Sequence, residues 1–216
     1  MQLDVVSDTI CPWCYVGKRR LDRALQARPD VKLDIRWRPF QLDPDIPEEG
    51  IERKIYLQRK FGTGDKAKEI YSALVESGAE EGIDFQFDRI EKTPNTLNSH
   101  RLIRWAESAG CQDLVVSLLF EAYFELGQDI GDKDVLESIA KDAGMDRDIV
   151  HDLLHSEADL DLVRREDKLA RTMGISGVPT FLYNQKFVLV GAQDPATLLH
   201  MYDRIEALEQ EEATAS

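Results

Sequence analysis

The most regular pattern of hydrophobic and polar positions lies in residues 31–38, where apolar and charged side chains alternate. The apolar positions are Val31, Leu33, Ile35 and Trp37, and the charged positions are Lys32, Asp34, Arg36 and Arg38. Because successive side chains of a strand point to opposite faces of its sheet, this pattern predicts a strand with one covered face that ends at Pro39. Residues 3–7 predict an earlier strand, and residues 12–27 predict a helix between the two. This β-α-β order favours parallel strands.

The middle of the chain carries its apolar residues at steps of three and four, which is the period of amphipathic helices. The segments with this period are residues 51–61, 65–77, 96–109, 113–126, 133–143 and 147–173. Glycines at 62, 64, 110 and 144 separate several of them, and Asp132 and Asp146 stand where N-caps are expected. The turn-rich residues 39–50 mark the boundary before this block, and residues 82–89 are expected to form an extended loop.

After the helical block the chain returns to strand patterns. Residues 178–183 and 186–190 predict two strands joined by the two-residue turn 184–185, and residues 195–208 predict a final helix with Asp194 as its N-cap. The first and last parts are each too small to bury a core alone, so we expect them to share one sheet. The predicted division is a discontinuous domain of residues 1–45 and 174–210, a helical insertion of residues 46–173, and a flexible tail of residues 211–216.

Charge and hydropathy exclude several classes of partner. The net charge of −14 argues against nucleic-acid binding, which depends on neutralising phosphates with Lys and Arg. No apolar run reaches the roughly 18 residues of a membrane span, so no membrane partner is expected. The first ten residues, MQLDVVSDTI, lack the basic and apolar regions of a signal peptide. We therefore expect a cytoplasmic protein, in which three cysteines do not form a disulfide framework.

Cys11 and Cys14 form a C-x-x-C pair directly after the first predicted strand. Pro12 suits the first position of a helix because it has no N–H to leave unpaired, which makes Cys11 the predicted N-cap. The Cys11 sulfur can then accept hydrogen bonds from the N–H groups of Trp13 or Cys14, and the helix dipole adds positive potential there. Both effects favour the thiolate, while Cys14 lies one turn further on, within reach of a mixed disulfide at Cys11.

Two other interpretations of the cysteine pair stay open on spacing alone. One is half of a zinc site, which needs four ligands, and the other is a pair without a function. The remaining candidate ligands are Cys111, His100, His151, His155 and His200. The sequence contains no second C-x-x-C, and the surroundings of His151 and His155 are typical of a solvated helix face. A redox pair with no metal is therefore the favoured interpretation.

A second signal is the segment GISGVPTFLYN, residues 174–184. A proline after glycine and valine, just before a strand, is consistent with a cis X-Pro bond and also with an ordinary strand start. Together with the C-x-x-C pair it resembles the thioredoxin superfamily, whose members place such a loop opposite the cysteines. The resemblance implies an α/β thioredoxin fold, β-α-β followed by β-β-α, with a large all-helical insertion.

Three longer segments narrow the resemblance. SDTICPWCYVGKRRL (7–21), PNTLNSHRLIRWA (94–106) and GISGVPTFLYNQKFVLVGAQ (174–193) are similar to the FrnE-type subgroup of DsbA-like oxidoreductases. This subgroup is related to 2-hydroxychromene-2-carboxylate isomerases and kappa-class glutathione transferases. The resemblance covers nearly the whole chain, up to about residue 208.

The resemblance implies roles for individual residues. Cys11 is the attacking cysteine and Cys14 the resolving one, with Pro12 and Trp13 tuning the redox potential. The cis-proline loop of Val178, Pro179 and Thr180 is expected to pair with a substrate strand. Asn95 and His100 are expected either to line the groove between helices and sheet or, on a plainer interpretation, to provide helix capping and one solvated histidine.

Two departures from related subgroups bear on the activity. Glutathione-using relatives commonly carry a serine where Cys11 stands, so the presence of both cysteines favours thiol–disulfide exchange. Trp13 replaces the histidine usual in periplasmic DsbA and brings no positive charge, so strongly oxidising behaviour does not carry over.

Three further residues have both a structural and a functional interpretation. Cys111 is expected to be a buried small apolar residue, with a regulatory thiol as the alternative. Asp8 is expected to cap a loop, and its alternative role is to pass a proton to Cys14. Asp194 could face the amine of glutathione, as in the relatives, instead of acting only as an N-cap.

The leading hypothesis is a thiol–disulfide oxidoreductase whose partner is a disulfide-containing protein or a low-molecular-weight thiol. It needs no bound cofactor beyond the redox-active Cys11–Cys14 pair, with glutathione as a candidate co-substrate. The alternatives are a glutathione-dependent isomerase or transferase and a redox-regulated chaperone or binding module. The sequence leaves monomer and homodimer open, together with the physiological substrate and the direction of electron flow.

Overall fold

The sheet is built from strands at both ends of the chain, with a long helical segment between them. The computed structural model of the protein describes residues 1–62 and 65–214, so residues 63 and 64 of the predicted glycine break lie outside the described residues. The elements in chain order are β1 (Gln2–Ser7), α1 (Pro12–Ala27), β2 (Asp34–Pro39), β3 (Ile51–Glu52), α2 (Arg53–Phe61), α3 (Asp65–Glu80), β4 (Lys92–Thr93), α4 (Leu97–Ser108), α5 (Gln112–Phe124), α6 (Lys133–Asp142), α7 (Arg147–Leu154), α8 (Leu160–Thr172), β5 (Thr180–Tyr183), β6 (Phe187–Val190) and α9 (Pro195–Thr214).

The four-stranded sheet has the order β2-β1-β5-β6. Strands β1 and β2 are parallel, as predicted, and Val5 lies opposite Trp37. Strands β5 and β6 join on the other side of β1 as an antiparallel pair, and Leu3 lies opposite Tyr183. The alternation in β2 has its predicted effect, because Trp37 is buried and Asp34 is exposed. The β-α-β and β-β-α parts therefore form one thioredoxin-type sheet.

The predicted hairpin turn is present between β5 and β6. Asn184 and Gln185 both have positive φ angles, 48° and 55°, and the N–H of Lys186 donates to the carbonyl of Tyr183. Two consecutive positive φ angles define the type I′ turn, whose twist matches that of the strands it joins. The turn thus fixes the register of β5 against β6.

One buried core extends from the sheet through the helical segment. It includes Leu3 and Phe181 from the sheet, Val16 from α1, and Leu119 and Leu136 from the helices. Helix α1 packs against α9, α3 and α5, while α4, α5 and α8 pack beside β2. None of the described helices combines the length and the apolar composition that crossing a bilayer requires.

The single helix predicted for residues 147–173 is wrong, because α7 and α8 are separate. The buried guanidinium of Arg101 lies at the break and donates to three carbonyls at the end of α7 and just after it, those of Leu153, Ser156 and Ala158. The last carbonyls of a helix lack intrahelical partners, so the hydrogen bonds from Arg101 stabilise the end of α7 and the turn that follows it. Asp159, with φ of 60°, then starts α8 in a new direction.

Other boundaries differ in smaller ways. The two-residue strand β3 occupies the start of the helix predicted over residues 51–61, and β4 lies between the predicted loop of residues 82–89 and the helix predicted from residue 96. Neither strand was predicted, because two residues are too few to show a period. Helix α9 ends at Thr214 and not at residue 208, since the run EALEQEEA consists of strong helix formers. The predicted tail is thus helical up to Thr214, and residues 215–216 lie outside the described residues. The division of the chain into a discontinuous domain and an insertion stays a proposal.

Candidate active site

Cys11 is the N-cap of α1, and the chain reaches it directly from the end of β1. The N–H of Cys11 donates to the carbonyl of Asp8 at 3.0 Å, and the N–H of Cys14 donates to the carbonyl of Cys11 at 3.0 Å. Pro12 occupies the first helical position, as the sequence predicts. The two cysteines therefore lie on the first turn of one helix, with a rigid backbone between them. Both thiols are free in this structure.

The two thiols differ in acidity although both are buried. A hydrogen bond from the Cys14 thiol lowers the pKa of Cys11, and this effect outweighs burial, which raises it. Burial, followed by the proximity of Cys11, raises the pKa of Cys14 well above its ordinary value. The predicted capping hydrogen bond from a helix N–H to the Cys11 sulfur is not formed in the structure. The nearby Cys14 N–H still lowers the pKa of Cys11, so its influence is electrostatic and secondary to that of the thiol.

The loop before β5 meets the start of α1 at the cysteines. The Val178–Pro179 peptide bond is cis, and the Val178 carbonyl oxygen lies 3.7 Å from the Cys11 sulfur, from which it accepts a weak hydrogen bond. The hydroxyl of Thr180 donates to the Gly177 carbonyl at 2.8 Å and so fixes the loop on its far side. These two segments are 167 residues apart in the sequence, and the pairing of β1 with β5 brings them close together.

A buried acid and a buried histidine lie behind the cysteines. Asp8 and His100 are 0% and 3% exposed, and the Asp8 Oδ1 atom lies 3.3 Å from His100 Nε2. That separation permits a charge interaction, but the angles do not form a hydrogen bond, and neither atom has another hydrogen-bond partner among the described residues. The other carboxylate oxygen accepts from the N–H of Leu42 at 2.6 Å, in the loop-capping role predicted for Asp8. His100 is therefore buried, and its interpretation as a solvated histidine is wrong.

The side chain of Asn95 connects two segments of the chain. Its side chain accepts from the N–H of Leu97 and donates to the carbonyl of Ile46, which ties the start of α4 to the loop after β2. Asn95 and His100 contribute to internal contacts and do not line the cavity beside Cys11. Asp194 caps α9 through the N–H of Thr197 at 2.8 Å, in agreement with its structural interpretation.

A cavity of about 420 Å³ opens beside Cys11 and is walled by the loop before β5, α2 and α3. Its lining residues are Ile10, Cys11, Pro12, Trp13, Leu42, Arg53, Tyr56, Leu57, Lys60, Phe61, Tyr71, Leu74, Gly177 and Val178. Most of these side chains are apolar or aromatic, and none of them is a carboxylate. The cavity therefore suits a ligand with an apolar body and a negative charge.

Arg53 and Lys60, the cations among the described lining residues, were not predicted from the sequence. The Arg53 guanidinium is held by the hydroxyls of Tyr71 and Tyr123, each at 3.1 Å, and Lys60 donates to the hydroxyl of Tyr56 at 2.9 Å. Arg53, Tyr56 and Lys60 are three and four residues apart, so they share one face of α2. That spacing is visible in the sequence, but nothing there shows that this face points toward Cys11.

Cys111 lies at the N-cap of α5 and is only partly buried. Of the three cysteines it is the one that the structure places outside the site, since Cys11 and Cys14 share a helix turn. Trp13, between those two, is partly exposed and packs against the core.

Comparison with known proteins agrees with this geometry. The sequence profile of the DSBA-like thioredoxin domain matches residues 2–203. The uncharacterized protein YwbO of Bacillus subtilis (strain 168) is 26% identical over 185 residues, which are 84% of this chain and 86% of that protein.

Three solved structures share the fold. A probable DsbA oxidoreductase from Streptomyces coelicolor is 28% identical with a TM-score of 0.82, and the match covers 91% of this chain and 86% of that one. A 2-hydroxychromene-2-carboxylate isomerase is 17% identical with a TM-score of 0.69 over the full length of both chains. The cytosolic disulfide reductase DsbM from Pseudomonas aeruginosa, with GSH, is 17% identical with a TM-score of 0.64, covering 99% and 100% of the two chains. With a profile match over most of its length and these structural neighbours, the chain belongs to the DSBA-like thioredoxin domain family.

Proposed function

We propose that the chain is a thiol–disulfide oxidoreductase that exchanges disulfides through Cys11 and Cys14. The observation that carries this proposal is the placement of two free thiols on one helix turn, with Cys11 as the N-cap and its sulfur 3.7 Å from the Val178 carbonyl oxygen. The pKa directions agree with this arrangement, since the pKa is lowered at Cys11 and raised at Cys14. The thiolate is the nucleophile in disulfide exchange, so this inequality favours Cys11 as the attacking group. Cys14 keeps its proton until the second step requires it.

The reaction that we propose has two steps. In the first, the Cys11 thiolate attacks one sulfur of a substrate disulfide, the substrate S–S bond breaks, and the other substrate sulfur leaves as a thiolate that takes up a proton. In the second, Cys14 loses its proton and attacks the Cys11 sulfur, which releases the remaining substrate thiol. The protein dithiol is oxidised to a Cys11–Cys14 disulfide and the substrate gains two electrons. The reverse sequence oxidises a substrate dithiol.

We further propose that the loop of Val178, Pro179 and Thr180 orients a substrate strand over Cys11. Backbone groups of an exposed extended segment can pair with an incoming chain by β-augmentation. The position of the Val178 carbonyl, 3.7 Å from the Cys11 sulfur, supports this role, because a strand paired there would bring its own sulfur close to the thiolate.

Trapping of mixed disulfides tests the proposal directly. In a Cys111→Ala background, Cys14→Ser is expected to accumulate a mixed disulfide through Cys11, whereas Cys11→Ser is expected to accumulate none. If both variants reduce insulin at the wild-type rate, the exchange mechanism is wrong. The reduction potential of the pair, compared with a cytosolic poise of roughly −220 to −320 mV, then gives the direction of electron flow.

The cavity beside Cys11 favours a second candidate, a low-molecular-weight anionic thiol such as glutathione as co-substrate. Arg53 and Lys60 supply positive charge in a cavity whose described lining residues include no carboxylate. Lys60→Gln is then expected to raise KM for glutathione disulfide several-fold while leaving the rate with insulin nearly unchanged. The matched control is Lys54→Gln, an exposed lysine of the same helix outside the cavity lining. Equal KM values for both variants would count against an anionic co-substrate.

A glutathione-dependent isomerase or transferase differs from the exchange reaction because it does not need Cys14. Turnover of an aromatic electrophile with glutathione that survives Cys14→Ser would favour that alternative. The compartment is also part of the proposal: we place the reaction in the cytoplasm, where few cysteines and a reducible pair are typical.

A further inference from the structure

A cluster of metal-ligand side chains lies on α6 and α7. Glu137, His151 and His155 each offer a ligand atom, and these atoms all lie within 4.8 Å of one another. The two histidines are one turn apart at the end of α7, with ring centroids 4.2 Å apart, and Glu137 projects from α6. Imidazole nitrogens and a carboxylate oxygen are a ligand set for zinc and neighbouring divalent transition metals.

The cluster is held in place before any ion binds. One Glu137 oxygen lies 2.7 Å from His151 Nδ1, and Arg147 donates to the other oxygen at 3.3 Å and 3.4 Å. His155 Nδ1 lies 2.9 Å from the carbonyl oxygen of His151. That oxygen can only accept, so the His155 Nδ1 atom carries a proton and, in the neutral ring, Nε2 carries the lone pair. Outer contacts of this kind orient ligands in metal sites.

The burial of Glu137 is the second observation. Its side chain is 3% exposed, whereas that of His151 is 52% exposed. An ionised glutamate is seldom buried to this degree unless it is paired, and here its partners are a surface arginine and a histidine that can bind metal. A buried anion beneath two exposed imidazoles gives a site with a negative base and an opening to solvent.

We propose that Glu137, His151 and His155 bind one divalent transition-metal ion of the zinc type, with at least one coordination position left to water. The ion joins α6 to α7 and is independent of the thiol pair, whose cysteines lie on α1. Three protein ligands with an open position are the pattern of zinc sites that exchange a ligand. The competing explanation is a helix-to-helix ion pair that binds no metal.

Zinc titration by calorimetry tests the site on the full-length chain. All three cysteines are alkylated first, because thiolates bind zinc by themselves. The expected result is one equivalent of zinc bound, with affinity at least about tenfold lower in His151→Gln and in His155→Gln, since even outer-shell changes reduce affinity 10- to 100-fold. The matched control is His200→Gln, an exposed histidine on α9, which is expected to bind zinc as the wild type does.

Three results would overturn the proposal. The first is the absence of saturable binding. The second is an equal loss of affinity in the His200→Gln control, which would indicate adventitious surface binding only. The third is an unchanged affinity in Glu137→Gln, which would remove the carboxylate from the site. A thermal melt with and without zinc gives a separate measurement, because only a protein with the intact cluster is expected to melt at a higher temperature with zinc. Circular dichroism confirms that each variant is folded.

Discussion

Gly17 lies in the middle of α1, where the helix touches the loop that carries Pro179. A Cβ atom placed on Gly17 would lie 2.9 Å from Pro179 Cγ and 3.6 Å from the Cα atom of Ala192. Contacts under 3.0 Å force a shift of one partner, and a proline ring is not the end of a flexible side chain. Gly17→Ala therefore moves the loop that lies beside Cys11.

The sign of the stability change in Gly17→Ala distinguishes a steric clash with Pro179 from the effect of helix propensity alone. Glycine to alanine in a helix interior stabilises by about 0.8–1.0 kcal/mol. Overpacking a close contact costs about 1–3 kcal/mol. The difference is a net loss of about 0–2 kcal/mol in the free energy of unfolding. For a chain of this size each kcal/mol corresponds to a Tm change of about 2–4 °C.

Urea denaturation of the reduced protein measures this difference, and the exposed Ala207 of α9 provides the control. Ala207→Gly is expected to lose the ordinary propensity difference of about 1 kcal/mol, which calibrates the helix contribution in this protein. Gly17→Ala is also expected to slow insulin reduction, because the Val178 carbonyl no longer lies 3.7 Å from the Cys11 sulfur. If Gly17→Ala raises the free energy of unfolding by about 1 kcal/mol with an unchanged rate, the contact does not restrict this position.

Four other side chains, those of two cysteines, a tyrosine and an arginine, each allow a separate measurement. Cys14→Ala removes the thiol that donates to Cys11, so the pKa of Cys11 should rise and its alkylation profile should move to higher pH; an unmoved profile would contradict this. Cys111→Ala should leave the exchange rate and the reduction potential unchanged, and a large change in either would place this thiol in the cycle. Burial raises the pKa of Tyr123 to about 12. The contribution of this buried tyrosine to the free energy of unfolding is therefore fully present below about pH 10 and is lost as the pH rises through 12. Urea denaturation at increasing pH, together with phenolate absorbance, measures this loss. Arg101→Met leaves three carbonyls without their charged donor and should cost about 3 kcal/mol or more in urea denaturation, whereas a loss below 1 kcal/mol would show that water replaces it.

The sequence predicts the order of the elements well because that order depends on local periods. The alternation around Trp37 and the helical steps from α2 to α6 depend only on which face of each element is covered. The thioredoxin-type fold, with its helical insertion, is confirmed. The break between α7 and α8 could not be predicted, because it depends on a side chain about 50 residues earlier in the chain. Arg101 is placed there by the packing of α4, and no local pattern carries that information.

The candidate site also combines features that the local sequence predicts with features that it does not. Cys11, Pro12 and Cys14 are adjacent in sequence, and the start of a helix determines their geometry. The contact of Cys11 with Val178 required a family resemblance, because spacing alone does not join segments 167 residues apart. The cations of the cavity required the structure, since the orientation of α2 depends on tertiary packing.

The helical segment also stabilises the surroundings of the thiols. Polar side chains at the start of α4 form hydrogen bonds with the loop between β1 and α1 and with the loop after β2. The Thr9 and Ser99 hydroxyl oxygens lie 2.8 Å apart, and the side chain of Gln41 donates to Thr96 Oγ1 at 3.3 Å. Each of these groups is buried, and a buried polar group without a partner costs about 1–3 kcal/mol. Undocking α4 would therefore leave two side chains without these partners: Gln41, in the loop after β2, and Thr9, next to Asp8 in the loop between β1 and α1. The positions of both cysteines depend on that loop, so the geometry of the thiol pair is stable only while α4 stays docked.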